Sequence, residues 1–203
     1  MKWVWVDAGN DADWQKHARH GITGEFYASS DPPVAVRARL EASRARQHAA
    51  GLYSAWNWID GDGEDYATWQ HERLREIDPP NLRPSYPKIQ LDHEGHDPDD
   101  VLLMLRTWRK LRPTQDTSWT MEGFQGGWMD EVFVAEVVQL KIRVVPQCYY
   151  GAAGRIEGLF DTLEAARDLT ARGFPDHLVT PFYDAAALPR NWSGFAFTMG
   201  RLP

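Results

Sequence analysis

The feature that most constrains this chain is a recurrence. Eight short apolar runs follow one another along its 203 residues, each trailed by a polar turn and a helix-compatible segment. They are Trp3 to Asp7, Gly21 to Ala28, Gly51 to Trp58, Lys88 to Glu94, Ser118 to Phe124, Lys141 to Tyr149, Leu178 to Tyr183 and Ser193 to Thr198. Repeated βα units of this kind build a parallel sheet. Eight of them predict an α/β fold, a compact (β/α)8 TIM barrel filling residues 1–203 as a single domain. Such barrels typically take about 250 residues, so the loops must be short, with the segments 11–20 and 184–190 reduced to a turn of helix. The competing architecture is an open doubly wound sheet, but Asp7-Ala8-Gly9-Asn10 is too brief for the glycine-rich phosphate loop that would follow its first strand.

Helix ends are well marked. Asp97 followed by Pro98 reads as an N-cap and first helical residue, with Val101, Leu102, Leu105 and Trp108 at helical spacing and a stop before Pro113. Asp31-Pro32-Pro33 opens a helix expected to run to Gly51, and Asp161-Thr162 opens one ending near Gly173. Segments 64–77 and 129–140 supply two more.

Composition narrows the function classes. A net charge of -7 without a sustained Lys/Arg patch argues against a nucleic-acid partner. Arg37, Arg39, Arg44 and Arg46 read as a solvated helix face. The lone Cys148 excludes an internal disulfide and reads as a packed small residue. No apolar run approaches a membrane span and no leader is evident at Met1, so the expectation is a soluble chain, cytoplasmic or virion-associated, with no membrane partner. Ten Trp is several times ordinary usage. Trp3, Trp5 and Trp119 are expected to fill the barrel interior, whereas Trp56 and Trp58 lie nearer its mouth.

A barrel places its active site at the C-terminal strand ends. Read in order, those ends carry Asp7; Glu25 and Tyr27; Trp56 and Trp58; Asp92 and Glu94; Glu122; Gln147 and Tyr149; Tyr183 and Asp184. Carboxylates, amides and aromatics are what a polyhydroxylated ring requires: aromatic faces stack on the sugar, polar groups take its hydroxyls, and two acids do chemistry. Asp92 and Glu94 are two apart on a strand, so they share a face about 6.5 Å apart in rise, while His93 points the other way. Two coupled acids can divide into an ionised and a protonated partner, the basis of glycoside hydrolysis.

An acid ending the first strand (Trp5-Val6-Asp7), an Asp-x-Glu ending the fourth (Leu91-Asp92-His93-Glu94) and a barrel of this size resemble the family-25 glycoside hydrolases, the muramidases of many phage and bacterial lysins. The resemblance implies Glu94 as general acid, with Asp92 and Asp7 stabilising charge or orienting the substrate. That family usually carries a further acid near its last strand, where this chain has Phe195, Phe197, Thr198 and Met199. Asp184 is the nearest substitute and Glu122 could serve as a displaced second carboxylate.

Two functions follow. One is a glycosidase acting on cell-wall or other polysaccharide, peptidoglycan included, with Glu94, Asp92, Asp7 and Glu122 as its catalytic carboxylates. The other is a non-catalytic carbohydrate-binding barrel of a phage tail or surface assembly, with Glu25, Tyr27, Trp56, Trp58, Gln147, Tyr149, Tyr183 and Asp184 holding the sugar in either case. Neither requires a cofactor. A metal is not expected at Asp92, His93, Glu94, His96 and Asp97, because alternation splits the set and Asp97 has a capping role. Asp60 to Asp65 lacks the ligand spacing of a calcium loop and reads as a helix start, and the turn 123–128 lacks the lysine of a nucleotide loop.

Overall fold

A computed structural model describes residues 2–6, 14–55, 61–77, 88–93, 97–122, 129–147, 162–184 and 194–197. Strands and helices alternate: β1 (Lys2–Val6), α1 (Trp14–Arg19), β2 (Gly24–Ala28), α2 (Pro33–Ala45), β3 (Ala49–Ala55), α3 (Gly63–Ile77), β4 (Lys88–Asp92), α4 (Pro98–Leu111), β5 (Asp116–Glu122), α5 (Glu131–Gln139), β6 (Arg143–Gln147), α6 (Thr162–Ala171), β7 (Phe182–Asp184) and β8 (Gly194–Phe197). Every strand pairing is parallel. β1 to β6 form a well-laddered curled sheet, with four or five register pairs at each seam. The short strands β7 and β8 join β6 back to β1, through one register pair at β6–β7, Gln147↔Phe182, and four at β8–β1, giving a ring in sequence order. Residues 185–193, which join β7 to β8 and include most of the expected reduced helix of 184–190, lie outside the described residues.

Local signals set the helices. Asp97 caps α4 as expected, its carboxylate accepting from the Asp99 amide at 3.0 Å, with Pro98 at the first position. Asp130 caps α5 through the Phe133 amide. Asp62 accepts from the Glu64 and Asp65 amides, so the acidic run before α3 acts as a helix start. Two expected boundaries move. α2 ends at Ala45 and not near Gly51, because Gln47 at φ 56 turns the chain and Gly51 already belongs to β3. The run from Leu178 is not strand throughout: Asp176–Leu178 is a 3-10 turn, Val179 makes a single bridge to Val144, and β7 begins only at Phe182.

The described side chains of β1 to β6 divide between two faces. The outer face, carrying Val4, Tyr27, Leu52, Ile89, Leu91 and Trp119, packs on the helices. The inner face gathers Trp3, Trp5, Phe26 and Val145 with Ala49 and Tyr53. Trp5 stacks on Tyr53 with ring centroids 4.4 Å apart, and Trp3 tilts onto Phe26 at 4.7 Å. A Cβ at Gly24 would stand 2.5 Å from the Trp3 ring, so the indole needs that glycine beside it. Below these rings, at the N-terminal strand ends, Lys88 pairs with Asp116 at 2.5 Å, and Arg143 reaches the same carboxylate at 3.6 Å. The inner face thus runs from an ionic base through an aromatic middle toward its C-terminal end.

Trp119 does not join that interior. Register pairs Ser118 with Gln90 and Thr120 with Asp92, so Trp119 falls on the outer face, where its ring meets Phe133 edge-on at 6.0 Å. Among the described residues, no helix is long and apolar enough to cross a membrane.

Candidate active site

Asp92 is the last residue of β4 and is 7 % exposed. It pairs in register with Ala55 and Thr120, two residues along the strand from Gln90, which lies among the interior rings. The Trp5 indole donates to Gln90 Oε1. Because indole is donor-only, the amide orientation is fixed and Nε2 becomes a committed donor. Among the described residues, neither that atom nor Thr120 Oγ1 on the next strand, both buried, has a hydrogen-bond partner. A carboxylate at the strand end therefore stands over a polar step of Gln90 and Thr120, with the Trp5–Tyr53 stack alongside Gln90.

His93 faces the opposite way, as strand alternation predicts. It is 1 % exposed between α3 and α4, edge-on to the Tyr66 ring at 6.2 Å, with Nε2 3.4 Å from Asp100 Oδ2. Asp100 also takes the Gly63 amide at 2.7 Å, satisfying a free N–H at the start of α3. Asp97 is occupied as a cap. Among the described residues no group of three His, Cys, Asp or Glu is arranged to hold a metal. Burial drives the Tyr66 phenol far above its ordinary range, so it stays a neutral hydroxyl.

Glu25 and Tyr27, expected at a strand end as sugar-binding candidates, face outward from β2. Gly24, Phe26 and Ala28 take the inner positions of β2, which turns Glu25 and Tyr27 outward beneath α1 and α2. Glu25 is wholly buried: Oε1 meets His17 Nδ1 at 2.5 Å and lies 3.7 Å from His48 Nε2, and Oε2 accepts from the Tyr27 hydroxyl at 2.6 Å. Tyr27 spends its proton on Glu25, so Ser43 Oγ, 2.7 Å away, must donate to it. Burial alone raises the Glu25 pKa. Hydrogen bonds from His17 and Tyr27 and the charges of His17 and His48 outweigh it, leaving the carboxyl below its ordinary value. This network ties β2 to α1 and α2.

The other candidates divide into two groups. Glu122, Gln147, Tyr183 and Asp184 are placed by backbone: Glu122 pairs with Gln147, two residues beyond the Thr120 level, and Asp184 pairs with Phe197. Asp7, Trp56, Trp58, Glu94 and Tyr149 lie outside the described residues. Gln90, Thr120 and Tyr66 were missed by sequence reasoning. Gln90 was within reach of it, being two residues before Asp92 on the same strand face, whereas Tyr66 meets the site from a helix 26 residues upstream.

The architecture is an α/β fold with a curled parallel sheet of TIM-barrel type. Among solved structures, the catalytic domain of a hyperthermophilic chitinase from Pyrococcus furiosus is similar to it with TM-score 0.59 and 12% identity, covering 97% of this chain and 76% of that one. Catalytic-site mutants of active domain 2 of thermostable chitinase from the same organism, complexed with chito-oligosaccharides, give TM-score 0.56 at 13% identity, covering 97% and 75%. At such identities the likeness is one of fold. These neighbours are chitinase domains, so they lend nothing specific to the muramidase resemblance. No family model matches the chain, and no curated protein matches it in sequence.

Proposed function

We propose that this protein is a glycoside hydrolase acting on a polysaccharide, built on a reduced single-domain (β/α)8 barrel. The observation that carries the reading is Asp92: a nearly buried carboxylate on the inner face of β4, at the strand's C-terminal end, beside a polar and aromatic interior. In barrels of this type that end of the strands holds the chemistry. Structural neighbours that are chitinase catalytic domains, one of them crystallised with chito-oligosaccharides, support a polysaccharide as substrate.

Glu94 follows Asp92 at strand spacing and takes the role of general acid, protonating the leaving oxygen as the glycosidic bond breaks. Asp92 remains the charged partner, raising the affinity of Glu94 for its proton and stabilising positive charge on the sugar ring. Asp7 and Glu122 are the supporting carboxylates, and Trp56, Trp58 and Tyr149 stack on the sugar. Chitin-type oligosaccharides are the first substrates to examine, with peptidoglycan and other cell-wall glycans next.

The test is turnover with binding measured in parallel. Release of reducing ends from chito-oligosaccharides, peptidoglycan and a panel of other glycans is expected from the native chain. Measurable glycan binding with no release from any of them would overturn the enzyme and favour a carbohydrate-binding module.

A further inference from the structure

The ladder of β4 stops at Asp92, yet the backbone there is held by groups from two other elements. The Tyr66 hydroxyl, carried by α3, accepts the Asp92 amide at 3.1 Å, accepts Ser54 Oγ at 2.9 Å and donates to the Ser54 carbonyl at 2.7 Å. Just beyond, the Thr120 carbonyl accepts the His93 amide at 3.1 Å, and the Trp119 indole donates to the His93 carbonyl at 3.2 Å. One phenol oxygen thus uses its proton and both lone pairs to tie the end of β3 to the end of β4.

Filling space alone would not need this hydroxyl. Phenylalanine would fill the same space on the same helix, and placing a polar atom at 0 % exposure is unfavourable unless its partners are exact in geometry. The partner it meets is the amide of the residue that carries the carboxylate. His93, pinned by the Tyr66 ring and Asp100 on the outer side, forces its neighbours on the strand toward the opposite face.

We propose that Tyr66 is a positioning residue: by holding the Asp92 amide, its hydroxyl sets the direction in which the Asp92 carboxyl leaves β4. The proposal rests on the glycosidase reading for its functional consequence. Misplacing a catalytic group by about 1 Å lowers rate by about a hundredfold, so a modest loosening is measurable.

The experiment is Tyr66→Phe, read in two ways. In amide hydrogen exchange, the Asp92 amide is expected to exchange about tenfold faster than in the native chain, while the Ile89 and Leu91 amides stay within about twofold. An unchanged Asp92 amide overturns the proposal. In glycan turnover, kcat is expected to fall about tenfold or more with KM within about threefold. Thr117→Val, which removes a buried hydroxyl accepting the Trp108 indole at the far end of β5, is expected to leave kcat within about twofold. A Tyr66→Phe enzyme with native kcat, or one whose loss is matched by Thr117→Val, overturns the positioning role. If the native chain cleaves no glycan, the functional reading fails separately, and the exchange result still decides whether Tyr66 holds Asp92. Should Tyr66→Phe not fold, cross-relaxation between the Asp92 amide proton and the Tyr66 ring protons in the native chain supports the contact, and its absence overturns it.

Discussion

Replacing Glu25 by Gln should cost this fold a measurable share of its stability, in a way that depends on pH. Glu25 is 0 % exposed and faces His17, Tyr27 and His48, with Ser43 behind Tyr27 and Arg39 over the Tyr27 ring. Glutamine keeps the shape and removes the charge. Two charge-assisted hydrogen bonds become neutral ones, each weaker by about 1 kcal/mol, and the amide's NH2 must face a group that now donates. Together with that unfavourable contact this sums to about 3 kcal/mol, within the range for disrupting a buried charged network. For a chain of this length that lowers Tm by about 6–12 °C. Because the folded pKa of Glu25 lies below its ordinary value of 4.5, the contribution of its charge is complete above that value and disappears as pH falls through the depressed one. Thermal unfolding of both forms between pH 7 and pH 3.5 should therefore show a gap that narrows as pH falls below 4.5. A gap that stays flat or widens below pH 4.5 would show that the Glu25 charge does not stabilise the fold.

Two further changes probe the frame behind β4. A Cβ at Gly63 would stand 2.3 Å from the Asp100 carbonyl oxygen and 2.9 Å from the Met104 backbone nitrogen, so Gly63→Ala must push α3 from α4. It should lose about 3 kcal/mol by chemical denaturation, and a variant as stable as the native chain would contradict that packing. Asp97→Ala removes the α4 cap and should lose about 1 kcal/mol by the same measurement. A change in metal affinity instead would contradict the capping role.

The sequence made the βα rhythm and the helix starts plain because those signals are local: Asp97-Pro98 dictates a cap wherever it occurs, and apolar runs between turns mark strands in any parallel sheet. The facing of the strands was harder to read. All five residues of β2, Gly24 to Ala28, are buried, so no alternation of polar and apolar residues shows which of them look inward. Glu25 and Tyr27 read as site residues, whereas the inner positions belong to Gly24 and Phe26, chosen by the room Trp3 needs. Trp119 was assigned to the interior for the same reason. β4 was legible because its polar residues, Gln90 and Asp92, share one parity and Ile89 and Leu91 the other. Tyr66 could not be found, since its meaning lies in a hydrogen bond to a strand 26 residues away.

If the acids Asp92 and Glu94 cleave a glycosidic bond, Glu94→Gln should abolish turnover. Gln keeps the size and the hydrogen-bonding reach of Glu94 while removing the proton it would donate. Reducing-end release from the best substrate of the native chain should fall by about a hundredfold or more, with oligosaccharide affinity within about threefold of native by calorimetry. Release that survives Glu94→Gln at the native rate would contradict the account.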